Sequence, residues 1–391
     1  MLYLLFLFLS LSTTCDFGPT FSQKVAQPFS KVDLDLAQPF SKVDLDLAQP
    51  FSKVDCINEK GKPVDYWVAI KKPQGTDYFY YDSEEKVFET SLHSLNETTN
   101  GALAHTVKQL WQKDVNYVIY NDQPPTTMYN DNFADFDFEV ASKFGHTKGL
   151  FAFAAAAAAG FWLTHSIPLF PLGPKNTDHY SGLGSNAKIY AQNMLCVSMS
   201  IASLNDLAKL FLLNKPQIYD AYIQNVDTND NEYDYIKQLV DGKYSTVKQC
   251  DSSILKTEAG RPIKVYAKTA EWNNDLYAGC VTVEEQDTLL VETWIRGKAE
   301  GPSCPLSDYN TLDIHQLSFV VGSSIDSRDS WPETQDHSKW AITETKNIVC
   351  MGDINRMTTQ YLRGGGTACF SDPVLHAILK AAIIKTNTCE I

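Results

Sequence analysis

Two short signatures constrain this chain more than anything else in it: Gly145-His146-Thr147-Lys148-Gly149 and, far downstream, Asp336-His337-Ser338-Lys339-Trp340. Each holds a His-x-Lys triplet, and in extended backbone residues two apart share a face, so the His and Lys of a triplet project together. A further polar residue follows each at nearly equal spacing, His165 at 17 residues after Lys148 and Asn355 at 16 after Lys339. That distance suits a strand, a turn and an adjoining strand that returns to the start. The chemical value of the pattern depends on bringing both copies to one place.

The amino end obeys other rules. LYLLFLFLSL at 2–11 has the length of a signal-peptide core and is too short to span a hydrocarbon layer of about 30 Å, so residues 1–15 read as a signal peptide and the product as secreted or lysosomal. An 11-residue unit, FSKVDLDLAQP, stands at 29–39 and 40–50 and restarts at 51. That period suits a right-handed coiled coil, but the proline in each unit breaks the helix, so 16–55 is expected to be a repetitive flexible leader without catalytic residues. Beyond Cys15, cysteines stand at 56, 196, 250, 280, 304, 350, 369 and 389. An even set fits full pairing in an oxidising compartment, with 105 possible connectivities, and the lack of CxxC spacing argues against structural zinc. Asn96-Glu97-Thr98 is a glycosylation sequon in a polar stretch. Outside the signal region no apolar run is long enough for a transmembrane segment.

From Cys56 onward the composition is that of a folded body. DYWVAIK (65–71), DYFYYD (77–82), NYVIYND (116–122) and GLFAF (149–153) read as strands, as do KVYAKTA (264–270), DLYAGCVTV (275–283), TLLVETWIRG (288–297) and HQLSFVVG (315–322). Residues 101–113, 192–213 and 374–384 read as helices. Such a mixture favours a layered α/β body.

The chain carries 33 Lys plus Arg against 47 Asp plus Glu, a formal charge of −14. This balance excludes a broad basic track that gathers polyanions at neutral pH, yet permits a focused basic site inside an acidic shell. Two lysines and an amide can hold the non-bridging oxygens of a phosphodiester and stabilise charge that grows in the transition state. One histidine attacks phosphorus while the other protonates the leaving oxygen, and the second role then supports hydrolysis of the phosphohistidine. Such chemistry needs neither metal nor cofactor. A single His-x-Lys triplet ordinarily marks a surface or core position; its duplication is what makes a candidate site.

The body resembles the deoxyribonuclease II family, acid endonucleases related in fold to phospholipase D. The resemblance rests on CINEKGKPVDYWVAIKKP from Cys56, YVIYNDQPP (117–125), GHTKG, GFWLTHSIPLFP (160–171), YAQNMLCVS (190–198), DHSKW, GDINR (352–356) and RGGGTAC (363–369), in family order. It implies a phospholipase D-like pseudo-twofold body at 56–391, made of two fused sheet-and-helix halves near 56–225 and 226–391, with the active cleft at their junction. It further implies metal-independent cleavage of DNA to 3′-phosphate and 5′-hydroxyl ends. By motif position His146, Lys148, His337 and Lys339 are catalytic, with His146 favoured as nucleophile and His337 as general acid. His165 and Asn355 support them, and Arg363 is a candidate phosphate ligand. The family pattern implies disulfides Cys56–Cys196, Cys304–Cys389 and Cys350–Cys369, leaving Cys250 to Cys280. With an ordinary histidine pKa near 6.5, an acid optimum is expected.

The sequence also departs from the family. Residues 154–159 are six alanines where relatives more usually carry polar residues and glycine, and alanine lacks the turn chemistry of a hairpin, which threatens the placement of His165. Ala341 stands where the family often has cysteine. RGGG at 363–366 reads equally as a phosphate clamp or a tight turn, and His179 and His315 as structural or surface residues. The alternative to an acid nuclease is a catalytically weakened secreted relative that binds DNA or a host macromolecule; phospholipid phosphodiesterase activity has less support from the motifs.

Overall fold

Runs rich in aromatic and β-branched residues form two large β-sheets in the computed structural model, which describes residues 53–125, 142–224, 226, 231–295, 299–304, 309–322 and 327–389. The segment expected to be a signal peptide and the repeats up to residue 52 lie outside the described residues. The first sheet contains β1 (Tyr66–Lys71), β2 (Tyr78–Asp82), β3 (Val115–Asn121), β4 (Lys148–Ala154), β5 (Ala159–His165), β6 (Gln192–Ser200) and β7 (Ile218–Tyr222). Helix α1 (Ala102–Val107) precedes β3, and α2 (Ile201–Asn214) follows β6. The strands lie in the order β7-β3-β4-β5-β6-β1-β2, with Glu89–Thr90 added outside β2.

After α3 (Asp234–Val240), the second sheet is built from β8 (Cys250–Lys256), β9 (Pro262–Lys268), β10 (Leu289–Thr293), β11 (Thr311–Ser318), β12 (Ser330–Pro332), β13 (Lys339–Thr343), β14 (Ile348–Gly352) and β15 (Gly365–Ser371). Helix α4 (Pro373–Ala382) and β16 (Ile383–Thr386) close the chain, and the strand order is β8-β9-β15-β14-β13-β10-β11-β12, with β16 on β11. The meander β3-β4-β5-β6 followed by α2 therefore recurs as β10-β13-β14-β15 followed by α4, with β11 and β12 inserted after its first strand. This is the pseudo-twofold, two-lobed plan of the phospholipase D-like fold.

Alternation decides which core each side chain enters. Tyr66, Val68 and Ile70 of β1 join a large apolar cluster shared with Val265, Trp340 and Met351 of the second sheet, whereas Trp67 and Ala69 pack with α1 on the outer face of the first. Helices α2 and α4 contribute Leu207, Phe211, Leu375 and Leu379 to the shared core. Four disulfides, Cys56–Cys196, Cys250–Cys280, Cys304–Cys389 and Cys350–Cys369, fasten loops and strands around it. They are the four pairs named above.

Two elements differ from the sequence reading. The expected helix at 192–213 is a strand, β6, as far as Ser200, where the Ser200 hydroxyl accepts from Ser203 N at 3.2 Å and starts α2. β6 is hydrogen-bonded on both sides, by β5 and β1, and that pairing overrides the helix preference of its Met and Leu residues. The expected strand at 275–283 is helical over Tyr277–Glu285, because the Asp275 carboxylate accepts from Tyr277 N and Ala278 N at 3.1 Å each and turns the chain there.

The alanine tract makes a hairpin after all. Ala154 pairs with Ala159, Ala155–Ala157 form one 3-10 turn, and Ala158 closes it at φ 50°. Left-handed alanine costs about 1 kcal/mol, small enough for the flanking strand pairs to impose. The pairing continues to Gly149 opposite Thr164, so Lys148 and His165 come side by side at the strand ends.

Candidate active site

The ends of β3, β4 and β5 gather the first signature. Asn121 pairs with Lys148, and the next residue, Asp122, is buried and forms an ion pair with the Lys148 ammonium. His146 Nε2 stands 3.4 Å from Lys148 Nζ and 3.9 Å from Asp122 Oδ2. Arg363 reaches in from the second lobe: Nη2 donates to Asp122 Oδ2 at 3.0 Å and to Gly145 O at 3.2 Å, and Nε to Phe144 O at 3.2 Å. The His146 amide donates to Gly364 O at 2.8 Å, tying the two motifs backbone to backbone. Both glycines are required by close approach, since a Cβ at Gly145 or Gly364 would lie 2.0 or 2.2 Å from Asn214 O at the end of α2.

The second signature hangs on the loop before β6. Ala191 forms a parallel bridge with Asp336, with His337 N donating to Ala191 O at 2.9 Å. Lys339 N donates to Asn193 Oδ1 at 2.8 Å, and Asn193 Nδ2 donates to Gly352 O at 3.3 Å, so one amide from the first lobe orders two strands of the second. The Lys339 ammonium donates to the His337 carbonyl. Asn355 follows β14 and is held by its neighbour Arg356, whose fully buried guanidinium contacts Asp275, both Asp313 oxygens, Gly301 O and Ser303 Oγ. Among the described residues, His146 Nδ1, His165 Nε2, Gln192 Nε2 and Asn355 Oδ1 are buried without a hydrogen-bond partner. Unpaired polar atoms of this kind are costly in a core and expected in a site that binds a polar ligand.

Electrostatics divides the groups by role. Burial opposes the Asp122 charge, but Lys148, His146 and Arg363 outweigh it and hold the carboxyl well below its usual range. Burial, with the charges of Lys148, Arg363 and Lys339, pushes His146 well below the ordinary histidine value, and Asp122 offsets only part of this. Burial and Lys148 bring His165 down to about 3. His165 Nδ1 accepts from Ile167 N at 3.1 Å, so its proton sits on Nε2 and makes it a neutral donor. Burial and then Lys148 lower Lys339 to about 7, so it is charged in acid.

His146, Lys148, His165 and Arg363 thus meet at the ends of β3–β5, while His337, Lys339 and Asn355 occupy the matching ends of β13 and β14. Lys148 and Lys339 lie near enough to act on one another electrostatically. His179 and His315 lie elsewhere, beside Asp178 and Glu333. Exposed Asn96 lies in the turn region before α1. Sequence reasoning assigned no role to Asp122, Asn193, Tyr190, Trp294, Asp353 or Arg356; all but Trp294 stand inside the quoted motifs YVIYNDQPP, YAQNMLCVS and GDINR, the one available signal.

Comparison with known proteins agrees with this architecture. The sequence pattern described as Deoxyribonuclease II matches residues 55–389. A Burkholderia thailandensis protein named "Putative deoxyribonuclease-2" is 34% identical over 336 residues, covering 81% of this chain and 89% of that protein. Deoxyribonuclease-2 of Caenorhabditis elegans is 33% identical over 366 residues, covering 85% and 93%, and Plancitoxin-1 of Acanthaster planci is 28% identical over 354 residues, covering 85% and 92%. With nearly the whole body matched and both signatures set on equivalent strand ends, the chain belongs to the deoxyribonuclease II family.

Proposed function

We propose that the two lobes form one centre that hydrolyses DNA phosphodiesters in acid without a metal, leaving 3′-phosphate and 5′-hydroxyl ends. The observation that carries this reading is that each signature is hydrogen-bonded to the other lobe, His146 N to Gly364 O at 2.8 Å and His337 N to Ala191 O at 2.9 Å, although the two belong to different sheets. Between them a phosphate finds two ammonium groups, the neutral His165 Nε2–H and the Asn355 amide, with Arg363 as a third cation locked in place by Asp122. A lowered pKa keeps His146 unprotonated, so its lone pair stays available at a pH where ordinary histidines are charged. His146 forms a bond to phosphorus as the P–O5′ bond breaks and O5′ takes the proton of His337. Water, deprotonated by His337, then attacks the phosphohistidine and releases His146. The acid preference follows because the Lys339 charge that faces the phosphate is lost as pH rises past about 7.

The reading extends to chain organisation: a signal peptide at 1–15, a leader to residue 55, halves dividing near 225, and secretion or lysosomal delivery, with a glycan on Asn96. No helix among the described residues is long and apolar enough to cross a membrane. The test is nicking of supercoiled DNA in EDTA across acid to neutral pH. Wild type should cut best in acid, and H146A and H337A should each lose about 100-fold or more. Binding without cleavage would favour a weakened DNA-binding relative, and unchanged cleavage in both variants would sink the mechanism.

A further inference from the structure

The two signatures are alike in backbone and unlike in surroundings. Asn121 pairs with Lys148 across β3 and β4, and Thr293 pairs with Lys339 across β10 and β13. The residues one step beyond, Asp122 and Trp294, therefore occupy equivalent places in the two lobes. In the first lobe that place puts a carboxylate against Lys148 and His146. In the second it puts an indole against His337, at 4.0 Å between ring centroids and 37° between planes. Tyr190, delivered from the first lobe by the Ala191–Asp336 bridge, lies parallel to the same imidazole at 3.8 Å and 9°. The Tyr190 and Trp294 centroids are 6.0 Å apart, so the three rings make a triangle: Tyr190 covers one face of His337 and Trp294 closes an adjacent side. All three are only half-buried, and neither Tyr190 nor Trp294 belongs to an apolar core cluster.

Resting on the nuclease reading above, we propose that Tyr190 and Trp294 form an aromatic clamp that holds His337 in its protonated, donor orientation and so fits it, and not His146, to protonate the leaving O5′. The faces of phenol and indole rings attract a cation, so stacking favours imidazolium, and two rings tilted by 46° to one another on different sides deny the imidazole free rotation. Of the charged groups on its own segment, the Lys339 ammonium is turned to the His337 carbonyl, and the Asp336 carboxylate accepts from Trp331 Nε1 and Ser338 N, both at 2.7 Å. When P–O5′ breaks, its electron pair goes to O5′, a poor leaving group that needs this proton. Tyr190 and Trp294 are thus positioning residues, supplied one from each lobe.

Leaving-group dependence tests the clamp. Full-length wild type, Y190L, W294L, Y190F, W294F and H337A are assayed on a DNA oligonucleotide and on thymidine 3′-(p-nitrophenyl phosphate), whose nitrophenolate departs without a proton. The leucine variants should lose about 10- to 100-fold in kcat on DNA and less than about 3-fold on the nitrophenyl ester, and the phenylalanine variants should recover most of the loss. Retained nitrophenyl activity also shows that the variants are folded. Equal losses on both substrates, or a change confined to KM for DNA, would overturn the clamp while H337A still lost DNA cleavage. If H337A itself cut DNA normally, the underlying assignment of His337 would fall instead.

Discussion

Replacing Asp353 by asparagine probes the least expected group beside the site. Asp353 follows β14, is 4% exposed, and accepts from Gly366 N at 3.0 Å. Burial raises its carboxyl from an ordinary 3.8 to about 7, with Asp122 adding to the rise and the Gly366 hydrogen bond, Lys148 and Lys339 opposing it. An acid whose folded value is raised costs nothing below the unfolded value; its penalty grows as pH rises above 3.8 and is complete once pH passes about 7. That interval corresponds to about 4 kcal/mol. Asp353→Asn keeps the acceptor for Gly366 and removes the charge, so wild type and variant should match near pH 4, and the variant should be more stable by about 4 kcal/mol above pH 7. Urea unfolding of the disulfide-intact chain near pH 4, 5.5 and 7.5, followed by tryptophan fluorescence, measures this. Parallel stability curves for the two proteins would refute the reasoning.

Ala158→Gly, at φ 50° in the alanine hairpin, should stabilise the fold by about 0.5–1 kcal/mol and leave nuclease activity unchanged, as denaturant midpoints and a nicking assay would show. Arg356→Met should cost about 3–5 kcal/mol in the same unfolding assay by leaving Asp275 and Asp313 buried without their cation, and should lower DNA cleavage by freeing Asn355.

Where local chemistry decided structure, the residues announced it. YWVAIK and VNYVIYN are strands because their aromatic and branched side chains suit an extended ribbon buried on both faces, and that richness, bounded by turn residues, is written in the chain. QNMLCVSMS misleads because Met, Leu and Cys suit a helix and run without a break into a true one; only the capping Ser200 marks the change. DLYAGCVTV misleads in the other direction, its Val and Thr content masking the turn that Asp275 initiates. In the site, each His-x-Lys pair is a local pattern and was visible. Asp122 was not, because its meaning comes from Arg363, 241 residues away, and the Tyr190–His337 stack likewise depends on contacts between lobes that no spacing encodes.

The end of α2 sets a limit on how this duplicated chain can diverge. Asn214 O is the atom that any side chain at Gly145 or at Gly364 would strike, and those glycines belong to opposite lobes. Drift in either lobe is therefore policed by the same carbonyl: a larger residue in one loop can be accommodated only by moving the helix end, which dislodges the other loop with it. The first signature and the loop that carries Arg363 to it from the other lobe are therefore not free to change their distance from one another.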